Sequence, residues 1–273
     1  MNGLAGGDRA LASELARALD GDRLVLAYQP KLALATGRMA GVEALARWRR
    51  PGFGEVPPSL FIPAAERHGL IDRLTEWGLR AALRQWADWH GQGLTTRLAF
   101  NLSALSLRDI DFPDRLDLLC RSQGVPADQI VLEVTEGATQ QQVHLLDTLT
   151  RFRLKGFGLS LDDFGTGYSS LLQLSQLPYN ELKIDRCFVA GAVVGRESRL
   201  IVETIIRLAH GLGLTATAEG VEDEPTLALL AALGCDCAQG YLIAPPMSGS
   251  ELVPWWLSQA ETGHHHDAVR QVA

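Results

Sequence analysis

The chain is 273 residues long, 47% hydrophobic and 21% charged, with a formal net charge of −7. That length and apolar content suit one α/β domain with a substantial core. The acidic balance and the lack of any basic run argue against a nucleic-acid polymer or a polybasic membrane surface as partner, but not against a small anionic substrate, because bound cations would reverse the local sign.

The domain is expected to span residues 11–258, between a flexible N-terminal segment (1–10) and a flexible tail (259–273) that contains His264, His265 and His266. Leu11, Leu15 and Leu19 recur every four residues and predict a short amphipathic helix over Asp8–Leu19. Two strand-like runs follow, Leu24–Gln29 and Met39–Leu45. The short segment between them, containing Thr36 and Gly37, suits an antiparallel hairpin and not a crossover. A Pro/Gly-rich loop after Trp48 leads to Ser59, expected to cap a helix through Arg67, and a longer helix covers about Ile71–His90.

From there strands and helices alternate. Strands are expected at Arg97–Leu102, Ile130–Val134, Gly158–Leu161, Glu181–Ile184, Leu214–Ala218 and Cys235–Ala238. Helices are expected near Pro113–Gln123, Gln140–Lys155, Ser169–Gln176, Ser198–Gly211 and Glu224–Leu233. Such alternation predicts a parallel sheet covered by helices. With the hairpin, the strand count reaches that of a closed (β/α)₈ barrel; an open doubly wound sheet is the alternative.

Cys120, Cys187, Cys235 and Cys237 form no C-x-x-C pair and have no histidines at zinc-finger spacing, so they read as thiols of a reducing compartment. No apolar run approaches a membrane span and the N-terminus is no secretory signal, so a cytoplasmic chain without membrane contact is expected.

The chemically densest stretch is Leu161–Ser170, where Asp162 and Asp163 precede Gly165, Gly167 and a run of hydroxyls. Adjacent carboxylates repel and resist desolvation, so a fold holds them together best where cations neutralise them. The glycines permit a turn that aims both acids into one site; the bland alternative is an Asp-rich turn capping the next helix. Other polar residues fall at or just past strand ends: Asn101, Glu133, Lys183, Asp185, Glu219 and Gln239. Glu43 lies inside an apolar strand, where a charge needs a partner or a metal. In a barrel these ends converge on one face. The donors are hard oxygens, which suit Mg²⁺ or Mn²⁺.

Tyr28-Gln29-Pro30-Lys31, followed by Val42-Glu43-Ala44-Leu45-Ala46-Arg47-Trp48, resembles the opening signature of the EAL domain family. Asn101-Leu102-Ser103, Leu132-Glu133-Val134-Thr135-Glu136, the run from Asp162 to Ser170, Leu182-Lys183-Ile184-Asp185, Ala218-Glu219-Gly220-Val221-Glu222 and Gln239-Gly240-Tyr241 resemble its later motifs in the same order. The resemblance covers Leu11 to Pro246. Asn180 and Pro245 depart from it, standing where the family often has an acid and a basic residue.

The resemblance implies a modified TIM (β/α)₈ barrel with one antiparallel strand near the N-terminus. It implies hydrolysis of one phosphodiester bond of cyclic di-GMP to linear pGpG with Mg²⁺ or Mn²⁺ at a two-metal site. Carried over by position, Glu43, Asn101, Glu133 and Asp162 hold one metal; Asp162, Asp163 and Glu219 hold the other. Lys183 contacts the attacking water, and Glu43, Lys183, Glu219 and Glu222 form the catalytic group. Gln29, Leu45, Arg47, Asp185 and Gln239 contact the substrate. Glu136 anchors the Asp162–Ser170 loop, and the family suggests a homodimer. The alternative is a catalytically silent barrel that senses cyclic di-GMP; a third reading is another metal-assisted barrel enzyme with a different substrate.

Overall fold

The computed structural model describes residues 2–21, 23–136, 144–165 and 171–262. Strands β1 (Leu24–Ala33) and β2 (Arg38–Arg50) form the expected antiparallel hairpin, turning where Gly37 takes a positive φ of 65°. Six further strands follow in parallel with β2: β4 (Leu98–Leu102), β5 (Ile130–Thr135), β6 (Gly158–Phe164), β7 (Glu181–Ile184), β8 (Thr215–Ala218) and β9 (Cys237–Gln239). Strand β9 pairs antiparallel with β1, closing an eight-stranded ring in which β1 alone runs against the rest. The fold is therefore the α/β barrel with one antiparallel strand, and the open-sheet alternative is excluded. Strand β3 (Gly54–Val56) pairs with β2 outside the ring, inside the segment expected to be loop.

The helices are α1 (Asn2–Leu19), α2 (Pro58–Arg67), α3 (Ile71–Gly91), α4 (Phe112–Ser122), α5 (Leu145–Leu154), α6 (Leu171–Gln176), α7 (Arg186–Val189), α8 (Arg196–Gly211), α9 (Glu224–Ala232) and α10 (Gly249–Thr262). Three boundaries differ from those expected. Helix α1 begins at Asn2, ahead of the expected start at Asp8. Ser59 lies inside α2 and does not cap it; Pro57 takes the cap position and Pro58 opens the first turn, where a missing N–H and a fixed φ cost nothing. Helix α10 runs past residue 258 into the expected tail, whose residues 263–273 lie outside the described ones, as do the first residues of the helices expected at Gln140 and Ser169.

Apolar residues of the ring's outward face, among them Leu132, Val134, Leu159, Leu161, Leu182 and Ile184, are buried in the main core with helix residues such as Leu149, Phe152 and Ile206. A smaller core joins Leu15, Trp48, Phe61 and Leu74, so α1, α2 and α3 pack over the end of β2. Among the described residues, no helix is long and apolar enough to cross a membrane.

Candidate active site and metal centre

Side chains along a strand alternate between faces, so each ring strand turns every second residue into the lumen. The register places Gln29 opposite Glu43, Asn101 opposite Glu133, Lys183 opposite Thr217 and Lys31 opposite Gln239. These lumenal positions carry the polar residues, while their neighbours in sequence point out beneath the helices. Glu219 lies one residue past β8, and its N–H extends the ladder by donating to Ile184 O at 3.1 Å. Gly240 lets β9 end against the loop that follows β8: a Cβ there would lie 2.1 Å from Val221 O.

The centre of the mouth is Lys183, buried to 1% exposure. Its Nζ lies 2.6 Å from Glu219 Oε1, 3.0 Å from Glu133 Oε2, 3.2 Å from Asp162 Oδ1 and 3.5 Å from Glu43 Oε2. Asn101 Nδ2 donates to Glu43 Oε1 at 2.7 Å. Gln239 Nε2 donates to Glu43 Oε2 at 2.7 Å and to Gln29 Oε1 at 3.1 Å, while Gln29 Nε2 donates to Ala244 O at 3.1 Å.

Asp163 reaches the same place by a backbone device the sequence did not reveal. It has a φ of 56°, a left-handed conformation found at no other described non-glycine residue, and the β6–β7 register shifts at this point. The bulge brings Asp162, Asp163 and Glu219 together, with one oxygen of each within 4.8 Å of the others. The turn thus falls on Asp163 itself. Gly165 also has positive φ, at 97°, and its N–H donates to Glu136 Oε2 at 3.0 Å. Thr166–Ser170, including Gly167, lie outside the described residues.

The EAL domain family model matches residues 12–246. The chain belongs to the EAL domain family. Its relatives include cyclic di-GMP phosphodiesterase PA2567 of Pseudomonas aeruginosa, 39% identical over 84% of this chain and 39% of that protein. Cyclic di-GMP phosphodiesterase RocR of the same organism is 36% identical over 86% of this chain and 60% of that protein. This chain thus spans less than two thirds of their length. Among solved structures, the PaMucR phosphodiesterase–c-di-GMP complex gives a TM-score of 0.85 at 40% identity, covering 89% of this chain and 99% of that one. The EAL enzyme Bd1971, bound to cAMP and cyclic-di-GMP, gives 0.89 at 30% identity over 93% of this chain and 70% of that one.

The electrostatics of this EAL domain fit a cation site. Burial, Asp162 and Asp185 push the Asp163 carboxyl up to about 6. Burial pushes Glu219 up to about 8 against the pull of Lys183, with Asp162 and Glu43 adding to the rise. Burial also raises Glu43 and Asp162. Acids held above their ordinary range by burial, and then by one another's charge, are short of positive charge. Gln239 Oε1 is buried and has no hydrogen-bond partner among the described residues, so an acceptor stands free at the edge of the cluster. An all-oxygen donor set of this kind suits Mg²⁺ or Mn²⁺.

The remaining expected residues divide. Leu45 and Arg47 line a cavity of about 460 Å³ beside the cluster, together with Glu66, Asn101, Ser103 and Thr135. Arg47 is not free there: its Nε lies 3.2 Å from Glu55 Oε1 on β3 and its Nη1 donates to Ala46 O. Asp185 caps α7 by accepting from Cys187 N at 2.8 Å and stands close enough to Asp163 to raise its carboxyl, which puts it with the acids. Glu222 is exposed, three residues beyond Glu219 in the loop after β8.

Two lumen residues, the buried Lys31 and the half-buried Glu181, escaped the sequence reading. Lys31 Nζ lies 2.7 Å from Glu133 Oε1 and 3.3 Å from Glu181 Oε1. Burial alone would raise the Glu133 carboxyl, but Lys183 and Lys31 bring it down to about 2. The available signal was period two: Lys31 follows Gln29, and Glu181 precedes Lys183, by two residues on their strands.

Proposed function

We propose that this EAL domain, with residues 11–258 as its catalytic unit, hydrolyses one phosphodiester bond of cyclic di-GMP to give linear pGpG. The observation that carries the reading is the assembly, at one barrel mouth, of Glu43, Asn101, Glu133, Asp162, Asp163 and Glu219 around Lys183. Glu43, Asn101, Glu133 and Asp162 would hold one Mg²⁺ or Mn²⁺, and Asp162, Asp163 and Glu219 a second. Such a pair supplies a water acidified to near-neutral pKa and a clamp for in-line displacement at phosphorus.

The chain's own part is positioning and charge. Burial works against the Lys183 charge, but the carboxylates of Glu133, Glu43, Glu219 and Asp162 outweigh it and keep the ammonium protonated. It therefore serves as a donor to the attacking water's oxygen and not as the base. Gln239 holds Glu43 from the far side and offers its free Oε1 to a water or a nucleotide group. Arg47, released from Glu55, reaches a substrate phosphate, where a guanidinium binds two oxygens at once. The cavity beside Leu45 takes a guanosine half of the dinucleotide. Glu136 holds the loop after Asp163 by its bond to Gly165, and Glu222, three residues beyond Glu219, completes the hydrogen-bonded surround of the site. A homodimer, which follows the family likeness, and a cytoplasmic setting, which follows the cysteine usage and the expected lack of a signal or span, complete the proposal.

Chromatography of cyclic di-GMP incubated with the protein tests this. Linear pGpG formed with Mg²⁺ or Mn²⁺, and none with EDTA, is expected. Tight binding without product in the presence of metal would overturn catalysis in favour of a sensor.

A further inference from the structure

Glu133 differs from the other acids of the mouth in being gripped by two ammonium groups. Lys183 takes Oε2 at 3.0 Å and Lys31 takes Oε1 at 2.7 Å. The two lysines are placed differently. Lys183 is shared among four carboxylates, the acids that would hold cations. Lys31 lies deeper, on β1, where its opposite residues are Gly41 on β2 and Gln239 on β9. Its second contact, Glu181, is itself fixed by a hydrogen bond from Thr217 Oγ1. Thr217, Glu181, Lys31 and Glu133 therefore form a chain across the lumen, with Lys31 5% and Thr217 0% exposed. The neighbour of Glu133 on β6, Ser160, has an unpartnered hydroxyl, so no neutral donor there holds the carboxylate.

We propose that Lys31 is a positioning residue for the metal centre: it fixes Glu133 through Oε1, so that Oε2 alone is surrendered to a cation. This rests on the two-metal reading above. A carboxylate ligand free to rotate must be ordered when the metal arrives, whereas one tied by its outer oxygen presents the inner one already aimed. Partners that orient a ligand in this way typically govern affinity by about 10–100-fold. The competing role for Lys31 is simple neutralisation of Glu181, and the two roles separate in a double variant.

The test is titration of the metal-free protein with Mn²⁺, followed by calorimetry, for wild type, Lys31→Met, Glu181→Gln and the pair combined. The positioning role predicts that Lys31→Met weakens Mn²⁺ binding by about 10-fold or more. Glu181→Gln, which leaves the Lys31–Glu133 contact intact, stays within a few-fold of wild type. The double variant, one half-buried carboxylate lighter and so protected against unfolding from charge imbalance, stays as weak as Lys31→Met. Recovery of wild-type affinity in the double variant, or binding unchanged or tightened by Lys31→Met, overturns the assignment. Failure of the wild-type protein to take up Mn²⁺ overturns the metal reading itself, and the role of Lys31 with it.

Discussion

The two faces of the barrel strands obey opposite rules. On the outer face, Leu132, Val134, Leu159, Leu161, Leu182 and Ile184 are buried under helices and need nothing but contact. On the inner face, one residue away in sequence, Glu133, Asp162 and Lys183 are buried just as deeply and need charge partners. Stability sits in the first layer and chemistry in the second. The lumen is not a packed apolar plug, as barrel interiors commonly are. It is a set of ions held together by two lysines.

That division can be broken from the inside first. Glu43→Gln or Asp163→Asn should leave the barrel folded, since each removes one of several mutually repelling carboxylates. Turnover of cyclic di-GMP should nevertheless fall by about 10³-fold or more, the scale of losing a group that acts as part of a catalytic unit. Steady-state kinetics alongside circular dichroism checks both halves. The outer face should behave in reverse. Leu182→Ala removes a side chain with no exposed surface, at a cost of about 2–5 kcal/mol, while the residual folded fraction keeps near-normal turnover per molecule. Urea unfolding and active-site titration separate the two.

A pH series sharpens the same contrast. Asp163 and Glu219 bind protons more tightly folded than unfolded, with values raised to about 6 and about 8. Their contribution to stability is complete below the ordinary carboxylate range and is lost as pH rises through those values. Cations need the ionised forms. The rise in Tm on adding Mg²⁺ should therefore grow between about pH 6 and pH 8, with apparent Mg²⁺ affinity strengthening by roughly tenfold per pH unit for each proton displaced. Differential scanning fluorimetry with and without Mg²⁺ reads this directly; a gain independent of pH would contradict it. The smallest effect lies at the rim, where Glu55 holds Arg47 in a half-exposed pair. Glu55→Gln should change stability by less than about 1 kcal/mol. It should lower KM modestly by freeing the guanidinium.

The barrel and most of its mouth were legible in the sequence because both rest on periodicity. Alternating strands and helices fixed the architecture, and polar residues at strand ends fixed the acids. What was not legible depends on backbone detail or on strand direction. Asp163 turns into the site through its own left-handed conformation, while the sequence pointed to the glycines after it. Lys31 lies on the one strand running against the others, so its place at the far end of β1 marks the lumen and not a hairpin rim. Strand β3 is three residues long within a Pro/Gly-rich stretch and owes its form to pairing with β2. Helix α10 contains Pro254 and two tryptophans, a composition that masks helical periodicity.

The most direct test of the central claim is anomalous diffraction at the manganese edge, on crystals of the Glu219→Gln variant grown with Mn²⁺ and cyclic di-GMP. Two peaks are expected, one among Glu43, Asn101, Glu133 and Asp162 and one beside Asp162 and Asp163, weakened by the lost ligand, with Lys183 moved off its carboxylates. A mouth that binds the dinucleotide while Lys183 keeps all its ion pairs and no manganese is present would contradict the account.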